Sequence, residues 1–309
     1  MSLETLKENH KHILNCKVQD DSGLNDFQKI PNDVHIAIPR VGIERFRIPL
    51  RLKHPDGQIM SHDMEASMFV FLEAEKTGVN MSRFCAILQE EGEKHTVDEE
   101  FFKNILDRFT VDLRDYHHEK NIPEAEFKVS FRYPVKQKSL KSDNWGWQYY
   151  QCEMKATRMG DESTLMGLTI AYEYSSTCPC SLSMSKQYEK DFREGLIQEG
   201  NGIATAHSQR SIATCSVTYN IESDFGIEKL IKLLREALPT ETQSLVKRAD
   251  EQAFAILNGE HPMFVEHAAR RISVVFDNEK AILDWNAKIE HLESLHSHNA
   301  VAYISKQHS

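Results

Sequence analysis

Apolar and polar residues alternate along several stretches of the chain, and this period of two predicts β-strands. The first stretch is "HIAIPRVGIERFRIPLRL". It is followed by the turn-forming run "HPDGQ" and a second alternating stretch, so the sequence predicts a β-hairpin over residues 36–74. Further strands are predicted, in chain order, at 126–134, 145–158, 163–175, 207–221, 271–278 and 298–305.

A period of 3.6 residues predicts amphipathic helices between these strands. In the first half, one helix is expected at 80–92, and a second after a capping box formed by Thr96 and Glu99. In the second half, Asp224 is expected to cap a helix, and another helix is expected over 247–257. The apolar faces would consist of Phe101, Phe102, Ile105, Leu106 and Phe109 in the first half, and of Ile227, Leu230, Ile231, Leu234 and Leu238 in the second.

The order strand-strand-helix-helix-strand-strand therefore occurs twice, which predicts an α+β fold made of two similar units in tandem. Residues 1–30 lack sustained periodicity and are predicted to form an N-terminal arm. The first unit is expected over residues 31–160, and the second over 161–309.

Composition narrows the class of protein. The 309 residues are 40% hydrophobic and 27% charged, which suffices for one large or two ordinary domains. The sequence contains neither an apolar run of membrane-spanning length nor a signal-peptide pattern, so a cytoplasmic protein is expected. A net charge of -10 argues against nucleic-acid or membrane partners, whereas a small anionic ligand needs only a few local cations.

The cysteines do not suggest a disulfide framework, because they are scattered apart from the pair Cys178 and Cys180. This pair and Pro179 follow a predicted strand, where two residues in an extended segment would point the same way. One thiolate could then bind a metal. On the residues alone the simpler interpretation is favoured, namely two partly buried thiols beside a turn, since one Cys-x-Cys is weak evidence.

Three other short polar runs could carry chemistry or be ordinary structure. His207, in "AHSQRS", is either a metal ligand with anion-binding neighbours or a polar residue at a strand edge. Glu251, in "KRADE", either stabilises a first helical turn or faces a pocket. The run "ESLHSHN" is either a solvated hairpin or places Glu293 and His296 in one cleft.

Glu266 lies within the apolar run "HPMFVEH", where a glutamate is usually a surface residue of a helix turn. If its carboxylate points inward, its two oxygens can accept two parallel N–H donors. Guanine presents that pair as N1–H and the 2-amino group.

Seven runs in order make the chain resemble the prokaryotic GTP cyclohydrolase I of type IB: "IPRVGIERFRIPL", "VNMSRF", "CPCS", "AHSQRS", "KRADE", "HPMFVEH" and "ESLHSHNAVAY". The resemblance extends from about residue 35 to the C-terminus. It implies tandem tunnelling-fold (T-fold) ββααββ units, with antiparallel sheets and helices packed on one face, in a homotetramer with sites at subunit interfaces.

The activity implied by the resemblance is metal-dependent hydrolysis of GTP to 7,8-dihydroneopterin triphosphate and formate. This is the first step of tetrahydrofolate biosynthesis, and it also supplies queuosine-type deazaguanines. The implied cofactor is a divalent cation, Zn²⁺ or Mn²⁺, with Fe²⁺ as a further candidate.

The resemblance also assigns site residues. It implies the metal ligands Cys178, His207 and Glu251, of which Cys178 is also counted as catalytic, together with Glu266 as guanine anchor. It implies Glu293 and His296 as site residues, to which we assign general acid–base work. Charge and position add three candidates for binding the triphosphate: Arg210, Lys247 and Arg248.

The chain departs from the family pattern at two places. One is a long insertion at 182–204, which is expected to form a loop or short helix that leaves the ligands in place. The other is Ser208, where the family often has Asn.

Three other functions stay open. One is a deazaguanine nitrile reductase, and another is a cyclohydrolase that stops at a cyclic phosphate. The third is a non-enzymatic pterin- or metal-binding protein. Metal-dependent turnover would separate the first and third from the cyclohydrolase.

Overall fold

The structure is a computed structural model that describes residues 18, 19, 23, 34–113, 124–159 and 164–307. Nearly all of the predicted N-terminal arm, including Cys16, lies outside the described residues. None of the helices described is both long and apolar enough to span a membrane.

Eight strands occur in the described part of the chain: β1 (Ile38–Lys53), β2 (Ile59–Leu72), β3 (Glu124–Lys138), β4 (Trp145–Met159), β5 (Leu165–Thr177), β6 (Ser208–Asn220), β7 (Asp284–His291) and β8 (Ala300–Ser305). They form one sheet in which each strand is hydrogen-bonded to the next along the chain. The pairs β1–β2, β6–β7 and β7–β8 are antiparallel.

Six helices connect these strands within the described residues: α1 (Met81–Lys94), α2 (Glu99–Asp112), α3 (Pro179–Arg193), α4 (Ile227–Ala237), α5 (Arg248–Glu260) and α6 (Val265–Asn278). The prediction of a mixed fold of helices and antiparallel strands is confirmed. The insertion begins inside α3, and its remainder continues without regular structure towards β6.

The chain divides into two compact units, Met1–Val129 with Lys155–Leu165, and Ser130–Met154 with Met166–Ser309. The segment Ser130–Met154 thus belongs to the second compact unit, although it falls within the predicted range 31–160. The domain boundaries taken from the sequence stay a prediction.

An aromatic cluster forms the core of the first unit. The predicted hairpin is present, with Leu50 paired opposite His62. The apolar face predicted for α2 is buried, and Phe101 packs edge-on against Phe127 of β3 at a ring distance of 5.8 Å. Edge-to-face packing of this kind adds to the free energy gained by burying the rings.

In the second unit the predicted face of α4 is buried, and α6 packs against β7 and β8. Phe276 of α6 meets Trp285 of β7 in an edge-on contact at 5.6 Å. Every site residue predicted from the sequence belongs to this unit.

The strand predicted at 271–278 is wrong, because these residues form the second half of α6. The buried positions of that helix are Val265, Ala268, Ala269, Ile272 and Phe276, which is a helical spacing that only becomes visible when the window starts at 265. The missing strand is β7, in which Trp285, Ala287, Ile289 and His291 alternate as buried residues.

Two predicted helix caps are also wrong. The N-cap of α2 is Asp98, whose Oδ1 accepts a hydrogen bond from the backbone nitrogen of Phe101 at 2.9 Å, and not Thr96. The N-cap of α4 is Gly226, so Asp224 lies too early to cap that helix. A cap must directly precede the first helical residue.

Replacement of Asp98 by Ala should lower the free energy of unfolding by about 1 kcal/mol, because one backbone donor of α2 loses its acceptor. Urea unfolding followed by circular dichroism measures the change. Thr96→Ala is the matched control and should cost clearly less. Equal losses in the two variants would contradict the assignment of Asp98 as the cap.

Candidate functional site

Cys178 and His207 meet where β5 ends and β6 begins. The backbone N–H of Cys178 donates to the carbonyl oxygen of His207 at 3.2 Å. Cys178 is the N-cap of α3, and Pro179 occupies the first helical position, where its missing N–H removes no helical hydrogen bond. The expectation of an extended Cys-x-Cys segment is therefore wrong: Cys178 is half-buried, whereas Cys180 lies exposed in the first turn of α3.

The imidazole of His207 has two oxygen atoms near the same ring nitrogen. Its Nδ1 is 3.0 Å from Oε1 of Gln209 and 3.6 Å from Oε2 of Glu293. The side chains of His207 and Glu293 are only 17% and 13% exposed. Oε2 of Glu293 is buried and has no hydrogen-bond partner among the described residues. A buried carboxylate oxygen without a donor is costly, so this position favours a cation or a proton.

Six of the predicted site residues are exposed in the single chain: Arg210, Lys247, Arg248, Glu251, Glu266 and His296. Arg210 lies 3.8 Å from Glu173, and His296 stacks on His298 at 4.9 Å. No three Cys, His, Asp or Glu side chains within residues 34–113, 124–159 and 164–307 form a group that could hold a metal. The single chain thus brings His207 and Glu293 together, whereas Glu251 joins no such group and its role stays a prediction.

Asp250 holds the first turn of α5 to the β3–β4 connection. It is fully buried and accepts hydrogen bonds from the backbone nitrogens of Lys141, Ser142 and Lys247 and from the Ser142 hydroxyl, at 2.6–2.8 Å. These bonds, with that from the Ser142 hydroxyl the largest cause, hold the pKa of Asp250 well below its usual range. The sequence suggested only capping here. The anchor also fixes the backbone that carries Glu251.

His291, at the end of β7, is a site neighbour that the sequence did not reveal. It is 2% exposed, and its Nε2 lies 2.9 Å from the hydroxyl of Tyr174. Burial lowers the pKa of His291 to about 4, and the negative charge of Glu266 acts in the opposite direction. Glu266 therefore lies near enough to β7 to act on its last residue. The alternation within β7 could have revealed His291, had that strand been recognised.

A family model described as type I GTP cyclohydrolase folE2 matches residues 24–302. The chain belongs to the type I GTP cyclohydrolase folE2 family. This confirms the resemblance seen in the sequence at the level of the family.

Curated relatives of this folE2-family chain agree with the assignment. A GTP cyclohydrolase FolE2 of Dinoroseobacter shibae is 39% identical over 290 residues, which are 92% of this chain and 74% of the relative. A GTP cyclohydrolase FolE2 of Cereibacter sphaeroides is 37% identical over 290 residues, which are 92% of this chain and 76% of the relative.

Solved structures with the same fold include the uricase of Arthrobacter globiformis, with a TM-score of 0.50, 11% identity, and 87% of this chain and 93% of that chain covered. A hyper-thermostable AgUricase mutant gives a TM-score of 0.51 at 10% identity, and the match covers 90% of this chain and 94% of that chain. At this identity the likeness shows the fold alone.

The depressed pKa of His291 predicts a specific pH dependence for this folE2-family chain. Between pH 6.5 and about 4 the unfolded state binds a proton at His291 and the folded state does not, so stability should fall as the pH is lowered. The loss should be on the order of 3 kcal/mol across that window. Urea unfolding of the wild type and of His291→Gln at several pH values measures it.

The variant should lose this part of the pH dependence, whereas His296→Gln, which changes an exposed histidine, should keep it. Parallel curves for the wild type and His291→Gln would show that His291 does not carry the effect.

Proposed function

We propose that this chain is a GTP cyclohydrolase that hydrolyses GTP to 7,8-dihydroneopterin triphosphate and formate, the first step of folate biosynthesis. The observation that carries the proposal is the family match over residues 24–302. Curated FolE2 relatives at 37–39% identity over most of the chain support it. The same product could also feed queuosine-type deazaguanines.

Two of the donors assigned to a divalent metal ion lie at the junction of β5 and β6. Cys178 and His207 would supply a sulfur and a nitrogen donor, and Glu251 is assigned as the oxygen donor. The buried Oε2 of Glu293, which has no hydrogen-bond partner in the described structure and lies 3.6 Å from Nδ1 of His207, adds negative charge that favours a cation nearby. Such mixed sets suit Zn²⁺, Mn²⁺ or Fe²⁺. We assign Cys178, His207 and Glu251 as ligands. A metal bound there would lower the pKa of water and so supply a nucleophile for C8 of the purine.

The remaining steps require proton transfer and substrate positioning by the chain itself. Glu293, whose Oε2 is buried and unpaired among the described residues, is assigned to proton transfer at the imidazole nitrogens of the purine, together with His296. Glu266 is assigned to the N1–H and 2-amino group of guanine. Three exposed cations are assigned to the triphosphate as charge-assisted donors: Arg210, Lys247 and Arg248.

We further propose that the site is completed at a subunit interface of a homotetramer. Six predicted site residues are exposed in the single chain, and the predicted ligand Glu251 is one of them. The attraction of a charged side chain for substrate or metal is stronger where another surface excludes water around it. A second subunit would provide that surface.

The same proposal includes two tandem T-fold units. The first part of the chain runs β1–β2–α1–α2–β3–β4, which is the ββααββ order. The second part runs β5–α3–β6–α4–α5–α6–β7–β8, which is the same order with α3 between the first two strands and one additional helix before β7. The likeness to uricases supports this fold.

Cys178→Ala should abolish GTP turnover because the metal loses its thiolate ligand. The measurement is neopterin fluorescence after oxidation and dephosphorylation of the product, on chelator-stripped protein with Mn²⁺ or Zn²⁺ added back. Cys180→Ala, which changes the exposed neighbour, is the matched control and should retain activity. Light scattering should show the same tetramer in both variants. Full activity of Cys178→Ala would contradict the metal-site assignment.

Glu266→Gln should lower kcat/KM for GTP roughly 10- to 100-fold, because a neutral amide cannot accept both guanine donors. The loss should be smaller for ITP, which lacks the 2-amino group. Glu260→Gln, at the exposed end of α5, is the control and should leave both substrates unaffected. Equal losses for GTP and ITP would argue against Glu266 as the guanine anchor.

A further inference from the structure

We propose that Gln209 is a positioning residue that fixes the tautomer of His207, so that Nδ1 carries the proton and Nε2 offers its lone pair to the metal. The inference rests on the proposed metal role of His207. It adds a hydrogen-bonded chain behind that ligand, formed by Gln209, Ser176 and Ser211.

Gln209 is placed for this role by the geometry of β6. In an extended chain, residues two positions apart point to the same side, so the side chains of His207 and Gln209 are neighbours. Gln209 is only 8% exposed, and its Oε1 lies 3.0 Å from Nδ1 of His207. A buried glutamine at this distance contributes a defined hydrogen bond and not a solvated contact.

The amide of Gln209 faces His207 with its oxygen and Ser176 with its nitrogen. Nε2 of Gln209 donates to the hydroxyl oxygen of Ser176 at 2.7 Å, and that oxygen lies 2.8 Å from the hydroxyl oxygen of Ser211. Both serines are fully buried. Because the amide nitrogen donates to Ser176, the oxygen faces His207. An amide oxygen can only accept, so Nδ1 of His207 must carry the proton.

The other nearby acceptor does not take this proton. Oε2 of Glu293 is 3.6 Å from Nδ1, beyond hydrogen-bonding distance, and is unpaired within the described structure. With the amide rotated, the Ser176 hydroxyl would donate to Oε1 and Nε2 of Gln209 would donate to Nδ1 of His207, so the proton of the imidazole would lie on Nε2. The NMR test below distinguishes these two arrangements. With the proton held on Nδ1 by Gln209, the lone pair of Nε2 is available to the metal. The Glu293 carboxylate does not accept that proton and can serve in proton transfer.

The first test is metal affinity of chelator-stripped protein, measured for Mn²⁺ and Zn²⁺ by competition with a chromophoric chelator. Gln209→Leu should bind about 10- to 100-fold more weakly, the range typical of lost partners behind a metal-bound histidine. Gln209→Glu keeps an acceptor for Nδ1–H and should restore affinity. Gln137→Leu, which removes another part-buried amide of this unit, is the control and should bind like the wild type.

A second variant tests the next hydrogen bond behind His207, that between Gln209 and Ser176. Ser176→Ala removes the group that orients the Gln209 amide and should weaken binding in the same direction, but less than Gln209→Leu. Ser216→Ala is its matched control, because Ser216 makes a similar hydroxyl contact with Thr169 at 2.8 Å but lies outside the hydrogen-bonded chain behind His207. Should Gln209→Leu fail to fold, Ser176→Ala decides. Wild-type affinity in that variant would overturn the inference.

The second test reads the tautomer directly, which a general loss of packing would not change. Imidazole nitrogen NMR of metal-free, ¹⁵N-histidine-labelled protein should show a protonated Nδ1 for the resonance that disappears in His207→Ala. Gln209→Leu should shift it to a mixture of tautomers, and Gln209→Glu should restore the wild-type pattern. A protonated Nε2 in the wild type, or an unchanged tautomer in Gln209→Leu, would overturn the inference.

His207→Ala separates this inference from the proposed function. If that variant loses metal while Gln209→Leu binds as tightly as the wild type, the metal site stands and only the role of Gln209 is refuted. If His207→Ala binds metal as tightly as the wild type, the ligand role of His207 fails, and this inference fails with it.

Discussion

The pairing of the end of β5 with the start of β6 is the interaction on which the candidate site depends. It consists of the backbone hydrogen bond from Cys178 to His207 and of the hydroxyl contact between Thr177 and Ser208 at 2.7 Å. A slip of one residue in this register would turn every side chain of β6 to the opposite face. His207 and Gln209 would then turn together, away from Ser176 of β5 and from Glu293.

This pairing also explains how the chain accommodates a long insertion close to its reactive groups. The chain leaves β5 at Cys178, forms α3 and returns to His207. The hydrogen bond between the backbones of Cys178 and His207 therefore holds both ends of this segment. No residue of α3 is buried in the single chain. Length added between two fixed points costs little conformational entropy and need not move either ligand.

Buried polar groups set the positions of the other functional segments. Asp250 ties the first turn of α5 to the connection before β4, and His291 joins β7 to Tyr174 of β5. Each is satisfied by specific partners, which is the condition under which burying a polar group is tolerated. Glu251, which follows Asp250 in α5, is thus carried on anchored backbone, although its own side chain is exposed in the single chain.

The sequence by itself determined the first hairpin, the buried faces of α2 and α4, and the runs that place the chain in its family. These features are local, because a period of two or of 3.6 residues is readable within one segment. Tertiary structure decided the rest. The stretch 271–278 alone is too short to distinguish a strand from a helix. Its helical spacing appears only together with residues 265–270, and its packing on β7 and β8 in the tertiary structure shows which face is buried. Likewise, the contacts of His207 with Glu293, of Gln209 with Ser176 and of Asp250 with Ser142 join positions that are distant in the sequence. Their partners depend on strand register and chain path, which no local pattern encodes.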